Sequence, residues 1–308
     1  MATSGKAGHP GAAGMESIKA AWSEQPKPAR HADRAGRSPV GSVGWAQSVE
    51  GSVPMARTDA IMPGPAAGLT ATTDESALFT FLDDATGERT DLTAGQLGGW
   101  AARCAGLLRD GCGLAPGSRV AVLLPPHWRT AAVLLGAWSV GLAVSFRPRA
   151  TAGLPVLEPG GDRPYDAVFV TPQRLDDWLE DVPEGVHRYL VGTGSAPLTD
   201  VPVGWLDWST EVLRHTDAPP DVTTIRPSDP ASPDGTSYDD WGRLARDLAD
   251  QLDLRAGDRL LVDATEHEQP LKWLLAPLAV GASVVVCANL DRSRLDDRIA
   301  TDRITRVL

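Results

Sequence analysis

Lysine is the residue this chain most conspicuously lacks. Of 29 basic residues only four are lysines, and from residue 28 to the end Lys272 stands alone. A lysine ammonium is the usual point charge set against a phosphate, so phosphate chemistry has few candidates here. Three cysteines, Cys104, Cys112 and Cys287, are too few and too scattered for a disulfide framework or a metal spacing. Cys104 and Cys287 fall in apolar runs, as inert thiols do, and a reducing cytoplasm is the expected location. The longest apolar run, 131–144, lies between Arg129 and Arg147 and is shorter than the ~20 residues that span a bilayer; no membrane span and no secretory signal are expected. Basic stripes are missing too. The net charge is −11, which argues against a nucleic-acid partner.

Residues 1–62 have few aliphatic residues and no sustained period. They are dense in Gly, Ala, Ser and Pro and carry a net charge of +2, against −13 for the rest. Such a segment has too little apolar surface to offset the entropy of ordering it. Residues 1–70 are therefore expected to form a disordered extension, with Met55 and Met62 as alternative starts to Met1. No Ser/His/Asp or Cys/His arrangement with a known signature occurs anywhere.

What is present is an internal repeat. At an offset of 140 residues, 103–144 and 243–284 share 14 identities in 42 positions without a gap. Gly117-Ser118-Arg119-Val120 answers to Gly257-Asp258-Arg259-Leu260, and Val140-Gly141 to Val280-Gly281. Each copy reads as helix, turn, short apolar strand, helix, strand. Strands alternating with helices predict an α/β fold with mainly parallel sheets and two pseudo-repeated subdomains, one over 71–215 and a second, incomplete one over 216–308 that repeats 96–146. Before the first copy, Ala77–Leu82 and Glu88–Leu92 read as a hairpin around Asp83-Asp84-Ala85-Thr86-Gly87. Thr93 is positioned to cap a helix carrying Leu97, Trp100, Ala101, Cys104, Leu107 and Leu108. Further strands are expected at 119–124, 142–146, 166–171, 188–191, 259–262 and 282–287, with another starting at 306. Helices are expected at 130–140, 172–179, 206–213, 238–252, 271–280 and 294–301.

The pattern Leu-x-Pro-Gly-x-Arg-Val-Ala-Val-Leu-Leu-Pro over 114–125, with the strand running into Arg147-Pro148, resembles the start of the adenylate-forming (AMP-binding, acyl-CoA synthetase-like) superfamily. Gly257–Leu261 and Leu275–Ala282 resemble the segment after that family's nucleotide loop. Asp83–Arg89, Leu124–Trp128, Leu135–Trp138 and Trp273–Leu278 are similar to short, function-unassigned relatives from high-GC Gram-positive bacteria. The resemblance implies a truncated N-terminal domain of the AMP-binding enzyme fold and, as cofactors, ATP or AMP. It also implies a Ser/Thr/Gly-rich phosphate loop ending in Pro-Lys-Gly. At that place this chain reads Ser228-Asp229-Pro230-Ala231-Ser232-Pro233-Asp234-Gly235-Thr236-Ser237, with one glycine, two aspartates and no lysine. Aspartates repel a triphosphate and prolines remove N–H donors. The family's magnesium pair, ribose aspartate and catalytic lid lysine are expected beyond residue 308.

His127 and His267 share one repeat position, after a strand and before a helix, at the sheet edge where ligands bind in open α/β folds. With Trp128 and Arg129 they form the expected ligand-binding set; no catalytic or metal-binding residue is assigned. Asp83, Asp84 and Glu88 read as an acidic turn, and Trp205 and Trp208 either as a seal between the subdomains or as a surface exposed for a partner. Three functions stay open at this stage: a binding or regulatory module without complete adenylation chemistry, an acyl-adenylating ligase fragment active with a partner, and an interaction scaffold. A protein partner or a homo-oligomer is expected in the first and third.

Overall fold

A computed structural model of the chain describes residues 75–154, 158–161, 163–194, 198–218 and 225–308; the expected extension, 1–70, lies outside them. The hairpin forms as expected. Strands β1 (Ala77–Asp83) and β2 (Glu88–Thr93) pair antiparallel, and the turn is closed by the Asp83 carboxylate, which accepts from Ala85 N and Thr86 Oγ1. Thr93 then caps α1 (Ala94–Gly106) in a reciprocal capping box with Gln96.

The first repeat contributes β3 (Arg119–Leu123), α2 (Trp128–Ser139) and β4 (Ala143–Phe146). After it come β5 (Tyr165–Val170), α3 (Pro172–Leu175), β6 (Gly185–Leu190), β7 (Leu206–Asp207) and α4 (Trp208–Val212). The second repeat contributes α5 (Tyr238–Gln251), β8 (Arg259–Asp263), α6 (Ala276–Val280) and β9 (Ser283–Ala288), followed by α7 (Leu295–Asp302) and β10 (Arg306–Val307). One sheet runs β4-β3-β5-β6-β7 and the other β10-β8-β9-β1-β2; every pairing except β1–β2 is parallel.

The 140-residue offset survives into the hydrogen bonds. Arg119 faces Ala143 across β3–β4, and Arg259 faces Ser283 across β8–β9. Gly117 N donates to Gly141 O, and Gly257 N to Gly281 O. All four of these glycines hold φ between 74° and 86°, a region other L-residues enter at a steric cost. The repeated glycines are therefore there for their backbone.

By its place in the chain the hairpin 77–93 falls with 71–215, yet β1 pairs with β9, in the sheet of the second repeat. Helix 172–179 shortens to 172–175 because the Asp177 carboxylate accepts Leu179 N, a local bond that competes with the helix. The 271–280 helix opens as a π turn over Leu271–Leu275; Pro277 brings no N–H to the turn before it. The 206–213 segment splits into β7 and α4, with Asp207 capping the helix.

Strand alternation sets the layers. Val120 and Val122, Leu260 and Val262, Val284 and Val286, and Phe79 and Phe81 point into one continuous core with Leu97, Leu134, Trp208 and Trp273, so helices α1, α2 and α5 lie between the two sheets. Ala121, Leu123, Val168 and Val170 face the other way into a smaller cluster, and Leu261, Val285 and Cys287 into a third beside α7. At roughly 1.5–3 kcal/mol for each large apolar side chain buried, the shared core is the dominant stabilising term.

Candidate functional site

Two neighbourhoods form at the carboxyl ends of the parallel strands. The first follows β3. His127 caps α2, with Nδ1 accepting from Arg129 N at 3.1 Å. Its ring lies 4.2 Å from Phe81 and it is 1 % exposed. Burial, then the nearby Arg129 charge, pushes its pKa down to about 3, so it stays neutral at physiological pH. The capping bond puts the proton on Nε2, which is buried and makes no well-formed hydrogen bond with the described residues. Trp128 is buried against Trp100, and Arg129 stacks 4.8 Å over Trp128 while donating to Gly192 O and Gly194 O. Three of the four expected ligand residues thus stand together, as a tie between α2 and the 192–194 loop.

His267 stands apart. It lies in the loop after β8, partly exposed, with Nδ1 3.4 Å from Lys272 Nζ, and burial and Lys272 lower its pKa. Its neighbour Glu268 accepts from the backbone N–H groups of Arg149 and Ala150, which fastens this loop beside the end of β4.

The second neighbourhood is a cavity of about 780 Å³ between the end of β4 and the 232–234 loop. Trp138, Val144, Phe146 and Trp241 give it apolar wall; Arg147, Glu158, Asp181, Glu184, Ser232 and Asp234 give it polar groups. His127, Trp128, Arg129 and His267 do not line it. Glu158 is held by Arg119 at 3.0 Å, by Ser145 Oγ at 2.9 Å and by the Tyr165 hydroxyl. Tyr165 also accepts from Arg147 Nη2 at 3.0 Å. Arg147 was in the sequence as the cation closing an apolar strand, a placement that only the fold could connect with a cavity.

The 228–237 loop borders the same cavity and spends most of its own donors. Asp229 N goes to Arg226 O, Ala231 N and Ser232 N to Thr236 O, and Gly235 N to Ser232 O. Thr236 N goes to the Asp234 carboxylate and Ser237 N to that of Asp240. Ser232 Oγ also donates to Asp234. Pro230 and Pro233 have no N–H. The Asp234 carboxylate, its pKa lowered by these hydrogen bonds against the opposing pull of burial, sits where a phosphate needs donors. The residues present do not fit a triphosphate. The acidic hairpin turn is likewise committed: Asp83 accepts from Asn289 Nδ2, and Asp84 pairs with Arg298.

This architecture is that of the N-terminal domain of acyl-CoA synthetases. An acyl-CoA synthetase from Brucella canis superposes with TM-score 0.60 at 19% identity, over 79% of this chain and 46% of its own. The inhibitor-bound N-terminal domain of FACL13 from Mycobacterium tuberculosis gives 0.56 at 18%, over 79% of this chain and 61% of its own. The chain spans about half the length of the full synthetases it resembles. A scan of protein-family models finds none that matches. A TIGR03089 family protein of Mycobacterium tuberculosis is 38% identical over 239 residues, 75% of this chain and 90% of that protein. The chain belongs to the TIGR03089 family.

Proposed function

We propose that this protein is a ligand-binding or regulatory module on the acyl-CoA synthetase N-terminal fold, and that it does not carry out acyl adenylation. One observation carries the reading: in the loop at the family's phosphate-binding place, six of the eight N–H groups go to carbonyls and carboxylates of the loop and its flanks. Phosphoryl chemistry needs preorganised donors and cations aimed at the charge that develops; here two aspartates and two prolines stand instead. The test is ATP–pyrophosphate exchange with the full chain and a panel of short, long and aromatic carboxylic acids. No exchange above buffer is expected. Exchange that depends on both protein and acid overturns the reading.

A reducing, cytoplasmic setting is part of the same proposal. Its support is three free cysteines, two of them buried with thiols pushed up to about 12, chiefly by burial. Among the described residues no helix is long and apolar enough to cross a membrane.

A further inference from the structure

The one lysine after residue 27 is placed beside a histidine. Lys272 leaves the π turn Leu271–Leu275 with its Nζ 3.4 Å from His267 Nδ1. An ammonium has donors only, so Nδ1 is the acceptor and the ring proton lies on Nε2. Both side chains are partly exposed, so a small reactant can reach the pair. Their backbones are fixed. His267 N donates to Asp263 O, and Lys272 N to Gln269 O. Between them Glu268 O accepts from the indole of the buried Trp273, and the Glu268 carboxylate holds Arg149 N and Ala150 N. Among the described residues no carboxylate comes within ion-pair distance of Lys272; Asp263 and Glu266 face Arg292 Nη2 at 3.6 and 2.6 Å. Those two carboxylates and the backbone of Leu308, just after β10, also act on the imidazole. Burial, then the Lys272 charge, outweigh them and hold its pKa below the ordinary histidine value, so at neutral pH the ring is a free base.

An amine within hydrogen-bond reach of a neutral imidazole is a nucleophile standing next to its base. The geometry points to Lys272 as an acyl-accepting nucleophile with His267 as its general base, a site at which this chain takes an acyl group from an activated donor, a thioester or an acyl phosphate. The ammonium first loses one proton to solvent. The neutral amine then attacks the acyl carbon, and as the C–N bond forms His267 Nδ1 takes a second proton from the nitrogen. The C–S or C–O bond to the carrier breaks, and the leaving thiolate or phosphate receives that proton from His267. An amide and a free thiol or inorganic phosphate result, with no change of oxidation state. The first repeat has no such pair: Ala132 stands where Lys272 does, and His127 is buried as a helix cap. The site goes beyond the reading of the chain as a binding module and makes no use of the cavity beside β4.

The test exposes the full chain to limiting S-acetyl-N-acetylcysteamine and, separately, to acetyl phosphate, and follows acetylation by peptide mass spectrometry. Lys6, Lys19 and Lys27 in the same chain are the internal references. A positioned general base contributes about 10²–10⁴-fold, so with at least one donor Lys272 should acetylate about tenfold faster than the references, or more. The donor that labels it tells a thioester source from an acyl phosphate. The ratio should fall as pH drops below the ordinary histidine range, where His267 takes up its proton. His267→Asn, which keeps an acceptor but takes no proton, should bring the ratio close to one. A ratio close to one with both donors on the unaltered chain overturns the assignment, as does a ratio unchanged by acid or by His267→Asn. The comparison of lysines and its pH dependence stand on the unaltered chain even if the variant folds poorly.

Discussion

The two repeats share a frame and part company at its edges. In both, a glycine with positive φ opens the strand, a second closes the helix, and the strands pair in the same register. After β3 the shared histidine is buried as a helix cap; after β8 its counterpart is partly exposed beside Lys272. After β4 the chain runs to Arg147, which donates to the Tyr165 hydroxyl, and an open cavity. After β9 it runs to Asn289, which donates to Asp83, and the hairpin seals that edge. Duplication preserved what the backbone requires and left each edge to its own chemistry.

The helix crossing is where this comparison breaks most visibly. Gly136 and Ala276 are repeat equivalents, but a Cβ on Gly136 would lie 2.7 Å from Ala101 O and 2.8 Å from Cys104 Cβ. Gly136→Ala should destabilise by about 2–3 kcal/mol through overpacking, whereas Ala276→Gly should cost about 1 kcal/mol of helix propensity; urea unfolding of both variants reads the difference. Equal effects would mean that the two crossings are packed alike.

Acid should separate the two histidines. His127 has a folded pKa of about 3 against an unperturbed value near 6.5, so below pH 6.5 the unfolded chain takes up a proton that the folded one refuses. Stability falls as pH drops from about 6.5 toward 3, by up to about 1.4 kcal/mol per pH unit for this one group. His127→Asn retains a capping acceptor and should flatten that slope in pH-dependent denaturation, while His267→Asn, at a more exposed site, should change it far less. A smaller contrast concerns the helix-ending glycines. Both hold positive φ, but a Cβ on Gly141 meets Pro116 at 3.0 Å and one on Gly281 meets only Ala256 at 3.9 Å. Gly281→Ala should cost about 1–2 kcal/mol for the backbone alone, and Gly141→Ala measurably more. Smallest of all, Glu268→Ala should remove the anchor of Arg149 and Ala150 at roughly 1 kcal/mol, read as a shift in melting temperature.

Most of the fold was legible in the residues because period, caps and glycines are local signals. Thr93 caps with Gln96, and Trp138 is core. Trp208 is buried against Trp100, while Trp205 sits over Arg188 in the outer cluster. The placement of the hairpin was not legible, since a parallel pairing between Phe79 and Val284 leaves no mark on either segment alone. The histidine, tryptophan and arginine after β3 were legible as a group because they are contiguous. The cavity was not: it draws on Arg147, Asp181 and Asp234, residues brought together only by the meeting of three loops. The missing donors of the 228–237 loop were half visible, as prolines and aspartates; how thoroughly the remaining N–H groups are spent required coordinates.

The most direct measurement is a thermal-shift titration of the full chain with ATP and magnesium. A loop whose donors are mostly taken by the loop and its flanks predicts no saturable stabilisation through the millimolar range. A saturable rise, worth about 2.7 kcal/mol once the nucleotide exceeds its Kd a hundredfold, would show that the loop opens for a triphosphate and would contradict the account.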